Sequence, residues 1–165
     1  MSEEGASHNE LLIAACKEDN LDMLEEVLSA DTSSFDINHT DGLGNSALHY
    51  AARYASTGCL EILLYYDGIN VNAVNRIEGD TPLHKAAEYH DPETALEMVQ
   101  ILINGGASPK LQNKMKQTAV DIAPSDTHAD VKAFLETAAL GAFIDSRDVP
   151  VDDDDDSDDV PSDDE

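Results

Sequence analysis

The sequence repeats one pattern four times, a helix start followed by closely spaced leucine and alanine. The fullest copy is Thr81-Pro82-Leu83-His84-Lys85-Ala86-Ala87, in which a hydroxyl can cap the first turn, proline stands where helices tolerate it, and leucine and alanine form a narrow apolar face. Altered copies begin at Asn9, Ser46 and Thr118, so successive starts are 37, 35 and 37 residues apart. A period of this size indicates an array of stacked repeats, each burying its apolar face against the next.

The pattern resembles the ankyrin repeat, whose period is about 33 residues and whose first helix opens with Thr-Pro-Leu-His. Gly44-Asn45 and Gly79-Asp80 precede the two fullest copies, and Val71-Asn72-Ala73 is similar to the tripeptide that opens an ankyrin hairpin. The resemblance implies an all-α ankyrin-repeat solenoid of helix-turn-helix units with projecting β-hairpin fingers. The expected domain spans residues 9–144, with a flexible tail before it (1–8), an acidic disordered tail after it (145–165), and repeats at about 9–40, 41–75, 76–113 and 114–140.

The first two repeats depart from the family pattern. The first helix is predicted to begin at the cap Asn9, and the residues expected on its apolar side are Leu11, Leu12, Ala14 and Ala15. In the second repeat, the distance from Gly58 to Gly68 is about two residues short of the family's spacing. Its second helix is therefore expected either to end early or to pack with Tyr65 and Tyr66 in an unusual direction.

The helices of the last two repeats have recognisable start signals. Asp91 followed by Pro92 predicts the cap and the first position of a helix. Ser125 or Asp126 is expected to cap the last helix, whose apolar pattern fades over residues 138–144.

The composition favours thin pairs of helices, and the sequence lacks the signals of a membrane or secreted protein. Hydrophobic residues make up 41% of the 165 residues, but the aromatic share is 5% and tryptophan is absent. No apolar run approaches the roughly 20 residues that span a bilayer, and the start Met1-Ser2-Glu3-Glu4 is acidic where a secretory signal is basic. We therefore expect a cytoplasmic or nuclear protein that is monomeric and not secreted.

The charge of the chain favours a basic protein as its partner. Nine basic and 35 acidic residues give a net charge of −26, and residues 145–165 alone hold 12 acidic residues and 1 basic one. Such a surface repels nucleic acid and anionic membranes, so neither is expected as a partner.

The acidic tail has several interpretations. A run so rich in aspartate cannot bury enough apolar surface to offset chain entropy, which predicts disorder. It could serve only as a solubilising tail. It could instead mimic nucleic acid toward a basic partner, or be phosphorylated at Ser162, which Asp163, Asp164 and Glu165 follow as acidophilic kinases prefer.

No pattern in the sequence points to an enzyme, a metal or a cofactor. The motifs GxSxG, GxxxxGK[ST] and GxGxxG are all missing. His49 and His84 occupy the repeat's own histidine position, where the resemblance implies hydrogen bonds to neighbouring loops. Cys16 and Cys59 lack a CxxC partner, so we expect buried thiols in a reducing compartment rather than a disulfide or metal pair.

A protein-binding groove is the functional site that the resemblance implies. The family's groove positions flank the core residues of each first helix, and here they are Tyr50, Arg53, Tyr54, Lys85, Glu88 and Tyr89. Lys17 is a weaker match in the first repeat. Tyrosine is common in interfaces because it is large, rigid and tipped with a polar group. Each of the three tyrosines could equally well cover the next repeat.

Three roles fit a groove with an acidic tail. The first is an adaptor that binds a protein partner through the groove and the fingers. The second is an escort for a basic protein, such as a ribosomal protein or a histone, as in small fungal ankyrin-repeat proteins with acidic tails. The third is an accessory subunit of a larger complex.

Overall fold

The computed structural model describes the backbone of residues 7–145 and the side chains as far as residue 141. Within that range the helices follow one another in four pairs, α1 (His8–Glu18) and α2 (Leu21–Leu28), α3 (Ala47–Arg53) and α4 (Thr57–Leu64), α5 (Pro82–Ala87) and α6 (Pro92–Asn104), α7 (Ala119–Ile122) and α8 (Ala129–Asp145). A short 3-10 helix (Thr32–Ser34) lies between the first two pairs.

The pairs stack into two layers of helices. The first helix of each pair packs on the first helix of the next, so that α1, α3, α5 and α7 form one layer, and α2, α4, α6 and α8 form the other in the same way. Contacts therefore run between neighbouring repeats, as in other solenoids. The predicted all-α ankyrin-repeat solenoid is confirmed.

Small side chains let the first helices approach one another closely. Leu48, Ala51 and Ala52 of α3 are completely buried, and Leu83, Ala86 and Ala87 of α5 repeat the arrangement with at most 1% exposure. Alanine at these positions adds apolar surface to the interface without holding the helices apart, which is why the spacing of leucine and paired alanine identifies the array in the sequence.

The predicted helix caps of the later repeats are confirmed. Ser46, Thr81 and Thr118 each accept a hydrogen bond from a backbone N–H three residues on, and the side chain of that third residue bonds back to the backbone N–H of the cap. Asp91 caps α6 by accepting from the N–H of Thr94, with proline next. These reciprocal bonds satisfy donors that the first helical turn leaves unpaired.

The cap predicted for the first helix is wrong by two residues. Ser7 caps α1 and forms the reciprocal bond with Glu10, so the helix begins at His8, within the segment predicted as a flexible tail. The Asn9 side chain instead accepts from the N–H of Asp36.

The core register of α1 is correspondingly shifted by one residue. Leu12, Ala15 and Cys16 are completely buried, whereas Leu11 and Ala14 are partly exposed. Cysteine thus takes the place of the second alanine of the pattern. The adjacent alanines at 14 and 15 imitate that pair, which is why the sequence suggests a register one residue too early.

The second repeat has a short outer helix, as one of the two sequence interpretations expects. α4 contains 8 residues and ends at Leu64, whereas α6 contains 13. Tyr65 then projects into solvent with 90% of its surface exposed, and the ring of Tyr66 packs edge-on against Phe35 at 6.1 Å between centroids.

The start of the last helix differs from the prediction, and so does its extent. Ser125 and Asp126 lie exposed in a turn, and α8 begins only at Ala129 and continues through Asp145, past the point where the apolar pattern was expected to fade. Val131 and Leu135 anchor it with no exposed surface. The predicted acidic tail lies outside the described residues except for Asp145, and its disorder stays a prediction.

The fingers between repeats are tight turns rather than paired strands. Backbone hydrogen bonds close three of them, from Asp41 N–H to the Asn45 carbonyl, from Asn75 to Asp80, and from Asn113 to Gln117, at 3.0, 2.9 and 2.9 Å. Among residues 7–145 the only β-pairing is an isolated antiparallel bridge between Thr40 and Ser46.

Successive fingers lie against one another at glycines. Gly44 has a φ of +81°, and a Cβ there would lie 2.5 Å from the backbone nitrogen of Arg76 in the next finger. Gly79 has a φ of +72° and approaches Lys114 in the same way. Any larger residue would combine backbone strain with a clash, so these positions require glycine.

The register of α1 can be tested with a pair of leucine variants. Leu12→Ala should reduce the free energy of unfolding by about 2–5 kcal/mol because it opens a cavity at a fully buried site. Leu11→Ala, which removes the same atoms from a partly exposed site, should cost roughly 1 kcal/mol. Urea denaturation followed by circular dichroism would measure both, and equal losses, or a larger loss for Leu11→Ala, would contradict the register.

Candidate partner-binding groove

The predicted groove residues fall at equivalent places in two neighbouring repeats. Tyr50 of α3 and Lys85 of α5 each stand four residues after the cap of their helix, and Arg53 and Glu88 each stand seven residues after it. Tyr54 and Tyr89 follow directly. The repeat architecture therefore brings all six side chains to the same face of adjacent helices.

Tyr50 is buried beneath its neighbours rather than displayed in the groove. Only 7% of its surface is exposed, and its hydroxyl donates a hydrogen bond to the Asp41 carboxylate. The Lys17 ammonium lies 4.7 Å from the centre of its ring, and the Tyr54 ring stacks on it at 6.3 Å. Tyr50 thus joins the first repeat, the second repeat and the intervening finger.

The Tyr50–Asp41 bond affects the ionisation of both groups. Burial raises the pKa of the Tyr50 hydroxyl, and the bond to the carboxylate adds to that rise. Burial alone would raise the pKa of Asp41 as well, but the bonds that it accepts from Tyr50 and from the backbone N–H groups of Asn45 and Leu43 outweigh burial and lower it. The tyrosine therefore stays protonated and the aspartate ionised at neutral pH, which keeps the donor and acceptor matched.

Lys85 is likewise buried, in a pocket of carboxylates. Its Nζ lies 2.7 Å from Glu78, 3.2 Å from Asp80 and 3.5 Å from Glu88, and its side chain is only 7% exposed. Burial alone would lower the pKa of Lys85, but the three carboxylates raise it above its ordinary value. The ammonium is therefore neutralised within the protein and ties α5 to the finger of residues 75–80.

The carboxylates around Lys85 respond in opposite directions. The bond from Lys85 and a second from Asn75 lower the pKa of Glu78. Burial raises the pKa of Glu88 despite its contact with the same ammonium. Between Glu78 and Glu88, Glu88 is thus the carboxylate that protonates more readily.

The burial of Tyr50 and Lys85 corrects the expected composition of the groove surface. The exposed members are Arg53, Tyr54, which shows 49% of its surface, and Glu88, with Tyr89 partly exposed. Together with Glu78, Lys85 and His90 they line an open depression of about 550 Å³. The stacked Tyr54 and the ring pair of Tyr89 and His90, whose centroids are 4.4 Å apart, provide its aromatic walls.

Each repeat histidine bonds to the finger of the following repeat, and His49 thereby holds the finger that borders this depression. His49 accepts the backbone N–H of Ser46 at Nδ1, so its proton resides on Nε2, which donates to the Asp80 carbonyl of the next finger at 2.7 Å. His84 does the same with Thr81 and the Gln117 carbonyl, at 3.1 and 2.8 Å. The hydrogen bonds that the resemblance implied for the two histidines are present.

Buried amides form a second connection between fingers that the sequence analysis missed. Asn75 Nδ2 donates to Asn45 Oδ1 at 3.0 Å, and one repeat later Asn113 Nδ2 donates to Asp80 Oδ1 at 2.9 Å. The sequence contained a signal, since Asn75 and Asn113 begin their fingers 38 residues apart. Buried amides are costly unless paired, so these bonds specify how adjacent fingers align.

His128 has a structural role that was not predicted from the sequence. It is 1% exposed, and its Nε2 lies 2.7 Å from the carbonyl of Tyr89 in the preceding repeat. It thereby fixes the end of the loop that carries Tyr89 and His90.

The two cysteines lie together between the first two repeats as free, buried thiols. A hydrogen bond between Cys16 and Cys59, and then burial, raise the pKa of Cys16 far above its ordinary value. The thiol thus remains protonated and unreactive as a nucleophile at physiological pH.

The described part of the chain has neither a candidate metal cluster nor a candidate membrane-spanning helix. Among residues 7–145, no group of three or more histidine, cysteine, aspartate or glutamate side chains is placed to hold a metal ion. None of the helices in that range has the length and apolar character needed to cross a membrane.

The burial of His49 predicts a pH dependence of stability. Burial lowers the pKa of His49 below 6.5, so the unfolded chain binds the proton more readily. The contribution of neutral His49 to the free energy of unfolding is complete above about pH 6.5, and it should be lost as the pH falls through the lower pKa that His49 has in the folded protein. Urea denaturation at about pH 7.5 and pH 5.5 should show a smaller loss for His49→Gln, which can keep one hydrogen bond but does not titrate. Equal losses in both proteins would contradict the assignment.

Known proteins match this architecture over nearly the whole chain. Family models of ankyrin repeats match residues 2–75 and 68–123. An ankyrin repeat-containing protein of Saccharomyces cerevisiae, YGL242C, is 36% identical over an alignment that covers 99% of this chain and 96% of the yeast protein. The putative ankyrin repeat protein YahD of Escherichia coli is 33% identical over 76% of this chain and 61% of its own length. The human BCL-6 corepressor-like protein 1 is 39% identical over 62% of this chain, but the match covers only 5% of that protein.

Ankyrin repeats are generally non-catalytic modules of protein–protein interaction, and repeat arrays of this type bind through extended concave surfaces. The family models, the near full-length yeast relative and the two-layer stack agree with one another. The chain belongs to the ankyrin-repeat family.

Proposed function

We propose that the chain is an adaptor that binds a protein partner through the concave groove and the fingers. The observation that carries the proposal is the exposed aromatic depression between the second and third repeats, where Tyr54 presents half of its surface beside Arg53, Glu88 and Tyr89. Exposed, immobilised tyrosine next to charged groups is typical of binding hot spots.

The buried members of the predicted set hold this surface in place. The Tyr50 ring stacks on the ring of Tyr54, and Lys85 holds Glu78 and Glu88, which both line the depression. A partner would then meet side chains that are already ordered, so little conformational entropy opposes docking. Tyr50 and Lys85 would contribute to affinity through this support rather than through direct contact.

The groove itself does not require a basic partner. Its exposed charges are mixed, with Arg53 beside Glu88, and Lys85 is already neutralised by three carboxylates. An acidic field from the rest of the chain, whose net charge is −26, would still accelerate encounter with a basic protein. The escort function is the second candidate, because the concentration of aspartate in residues 145–165 favours it.

Salt dependence would distinguish the adaptor from the escort. Affinity purification from source cells, with the full chain and a 1–144 truncation washed at low and high salt, should retain the partner in all four samples if the groove binds it. A basic partner that is lost on truncation and at high salt would favour the escort, because attraction between exposed charges is screened by salt.

The groove is tested by substitution of its exposed tyrosines. The double variant Tyr54→Ala/Tyr89→Ala should weaken binding of the purified partner by about 2 kcal/mol or more, roughly thirtyfold in Kd, as measured by calorimetry. Tyr65→Ala is the matched control, since it removes an even more exposed tyrosine outside the groove. An unchanged Kd in the double variant, or the same loss in the control, would contradict the proposed site.

A further inference from the structure

Three successive fingers each present one large apolar side chain to solvent. Leu43, Ile77 and Met115 are 50%, 62% and 76% exposed, and each lies inside its turn. The fingers are joined by backbone hydrogen bonds of 2.9 Å, from Arg76 N–H to the Leu43 carbonyl and from Lys114 N–H to the Glu78 carbonyl. The three side chains therefore form a row with the spacing of the repeats, roughly 10 Å from one to the next. Large apolar side chains that are exposed in a row are a candidate interaction site, because exposed apolar patches are often where proteins bind partners.

Basic side chains border this row. Arg76 precedes Ile77, while Lys114 and Lys116 stand on both sides of Met115, so three of the nine basic residues of the chain lie at two adjacent finger tips. Lys114 also donates to the carbonyl of Arg76 across the two fingers. The carboxylate nearest in sequence, that of Glu78, is engaged by Lys85 at 2.7 Å. We call these six residues the fingertip surface; they are Leu43, Arg76, Ile77, Lys114, Met115 and Lys116.

The charge of the fingertip surface is opposite to that of the rest of the chain. Residues 1–144 contain 23 acidic and 8 basic residues, so most of the body repels an anionic segment. At physiological salt, screening limits such forces to about 8 Å, and the local charge decides where an anionic segment can settle. The fingertip surface combines local positive charge with an apolar row, and its occupant should be an acidic segment that also carries apolar residues.

The C-terminal residues of this chain have that chemistry. Val149-Pro150-Val151 precede an aspartate run, and Val160-Pro161 follow it. We propose that residues 146–165 dock on the fingertip surface of their own chain, with valines against Leu43, Ile77 and Met115 and aspartates against Arg76, Lys114 and Lys116.

The course of the chain makes this docking possible. The links between paired helices are short, which makes the pairs antiparallel, so α8 ends on the side of the stack where the first helices begin and the fingers project. The 20 residues after Asp145 can extend up to about 66 Å, which is enough to pass every finger. A short tether also gives the segment an effective concentration in the millimolar range, so that a surface with an intrinsic Kd of about 1 mM would be occupied about half of the time.

Docking would make the tail a competitor for any partner that uses the fingers. A basic partner could capture the tail and expose the fingertip surface, whereas an acidic partner would have to displace the tail. This consequence extends the proposed adaptor function, but the docking itself does not depend on it and can be tested without a partner.

Paramagnetic relaxation enhancement in the full chain tests the docking directly. A spin label on Ser162→Cys should be selective because Cys16 and Cys59 are completely buried. Compared with the same sample after the spin label has been chemically reduced, amide signals around Leu43, Ile77 and Met115 should lose roughly half of their intensity at low salt. The loss should largely disappear near 1 M salt, where the screening length falls to about 3 Å. Uniform broadening, or broadening confined to α8 or the groove, would overturn the proposal.

Charge and apolar variants test the two parts of the contact. Arg76→Glu/Lys116→Asp should abolish the local signal loss, whereas Lys17→Glu, a charge reversal in the first repeat, should preserve it. Met115→Ser should reduce the loss and Tyr65→Ser should not. An effect of the control equal to that of the fingertip variants would overturn the assignment, and an unchanged signal loss in Met115→Ser would overturn the role of the apolar row.

The same label distinguishes docking within one chain from docking on a second copy. One chain carries the spin label at natural isotope abundance, and the other is enriched in ¹⁵N but has no spin label. Signal loss in a mixture of the two reports only contacts between molecules. Undisturbed fingertip signals in this mixture are expected, and signal loss there equal to that in the singly labelled sample would overturn docking within the chain.

Discussion

The close approach of the first helices is the constraint on which the rest of the structure depends. Alanine occupies the crossing positions of α3 and α5, cysteine replaces one alanine in α1, and all of these side chains are fully buried. Since the main contacts among the described helices run within a repeat or between adjacent repeats, the stability of the array is approximately a sum of local interfaces. Small residues at the crossings allow the leucines to interlock and bring successive fingers within hydrogen-bonding distance.

The fingers are aligned by buried polar groups that form hydrogen bonds within the protein instead of with water. Imidazoles from the first helices reach the carbonyls of the next finger, and asparagine side chains link one finger to another. Each of these groups would be costly if it were buried without a partner, so the network permits one alignment and excludes displaced ones. The groove and the fingertip surface both depend on this alignment. Each is built from side chains of more than one repeat, and those side chains keep their relative positions only while the repeats stay aligned.

Much of this arrangement could be predicted from the sequence, and the failures have identifiable physical causes. The caps at Ser46, Thr81, Thr118 and Asp91 were predictable because capping is local chemistry. The register of α1 was not, because Ala14-Ala15 imitates the paired alanines one position before Ala15 and Cys16, the pair that is completely buried. α8 begins later than Ser125 or Asp126 because residues 125–127 form a turn closed by the bond from His128 N–H to the Pro124 carbonyl.

The composition of the groove shows a different limit. The spacing of Tyr50 and Lys85 put them at equivalent positions of α3 and α5, but their burial depends on Asp41, Glu78 and Asp80, which reach them from fingers. Periodicity within a helix contains no information about a loop that folds over it. The exposed part of the surface therefore followed only from the structure, and its role in binding stays a prediction.

The direction of the histidine bonds has a consequence for synthesis on the ribosome. His49 and His84 each reach forward along the chain, to carbonyls 31 and 33 residues later. Since a nascent chain leaves the ribosome with its N-terminus first, each of these imidazoles can form its hydrogen bond only after nearly one further repeat has left the exit tunnel. His128 points the opposite way, to Tyr89, 39 residues earlier. The carbonyl that His128 bonds to is thus synthesised before it, so this bond can form as soon as His128 has left the tunnel. At the His49 and His84 junctions the carbonyl is synthesised later, and folding there lags behind translation by about one repeat.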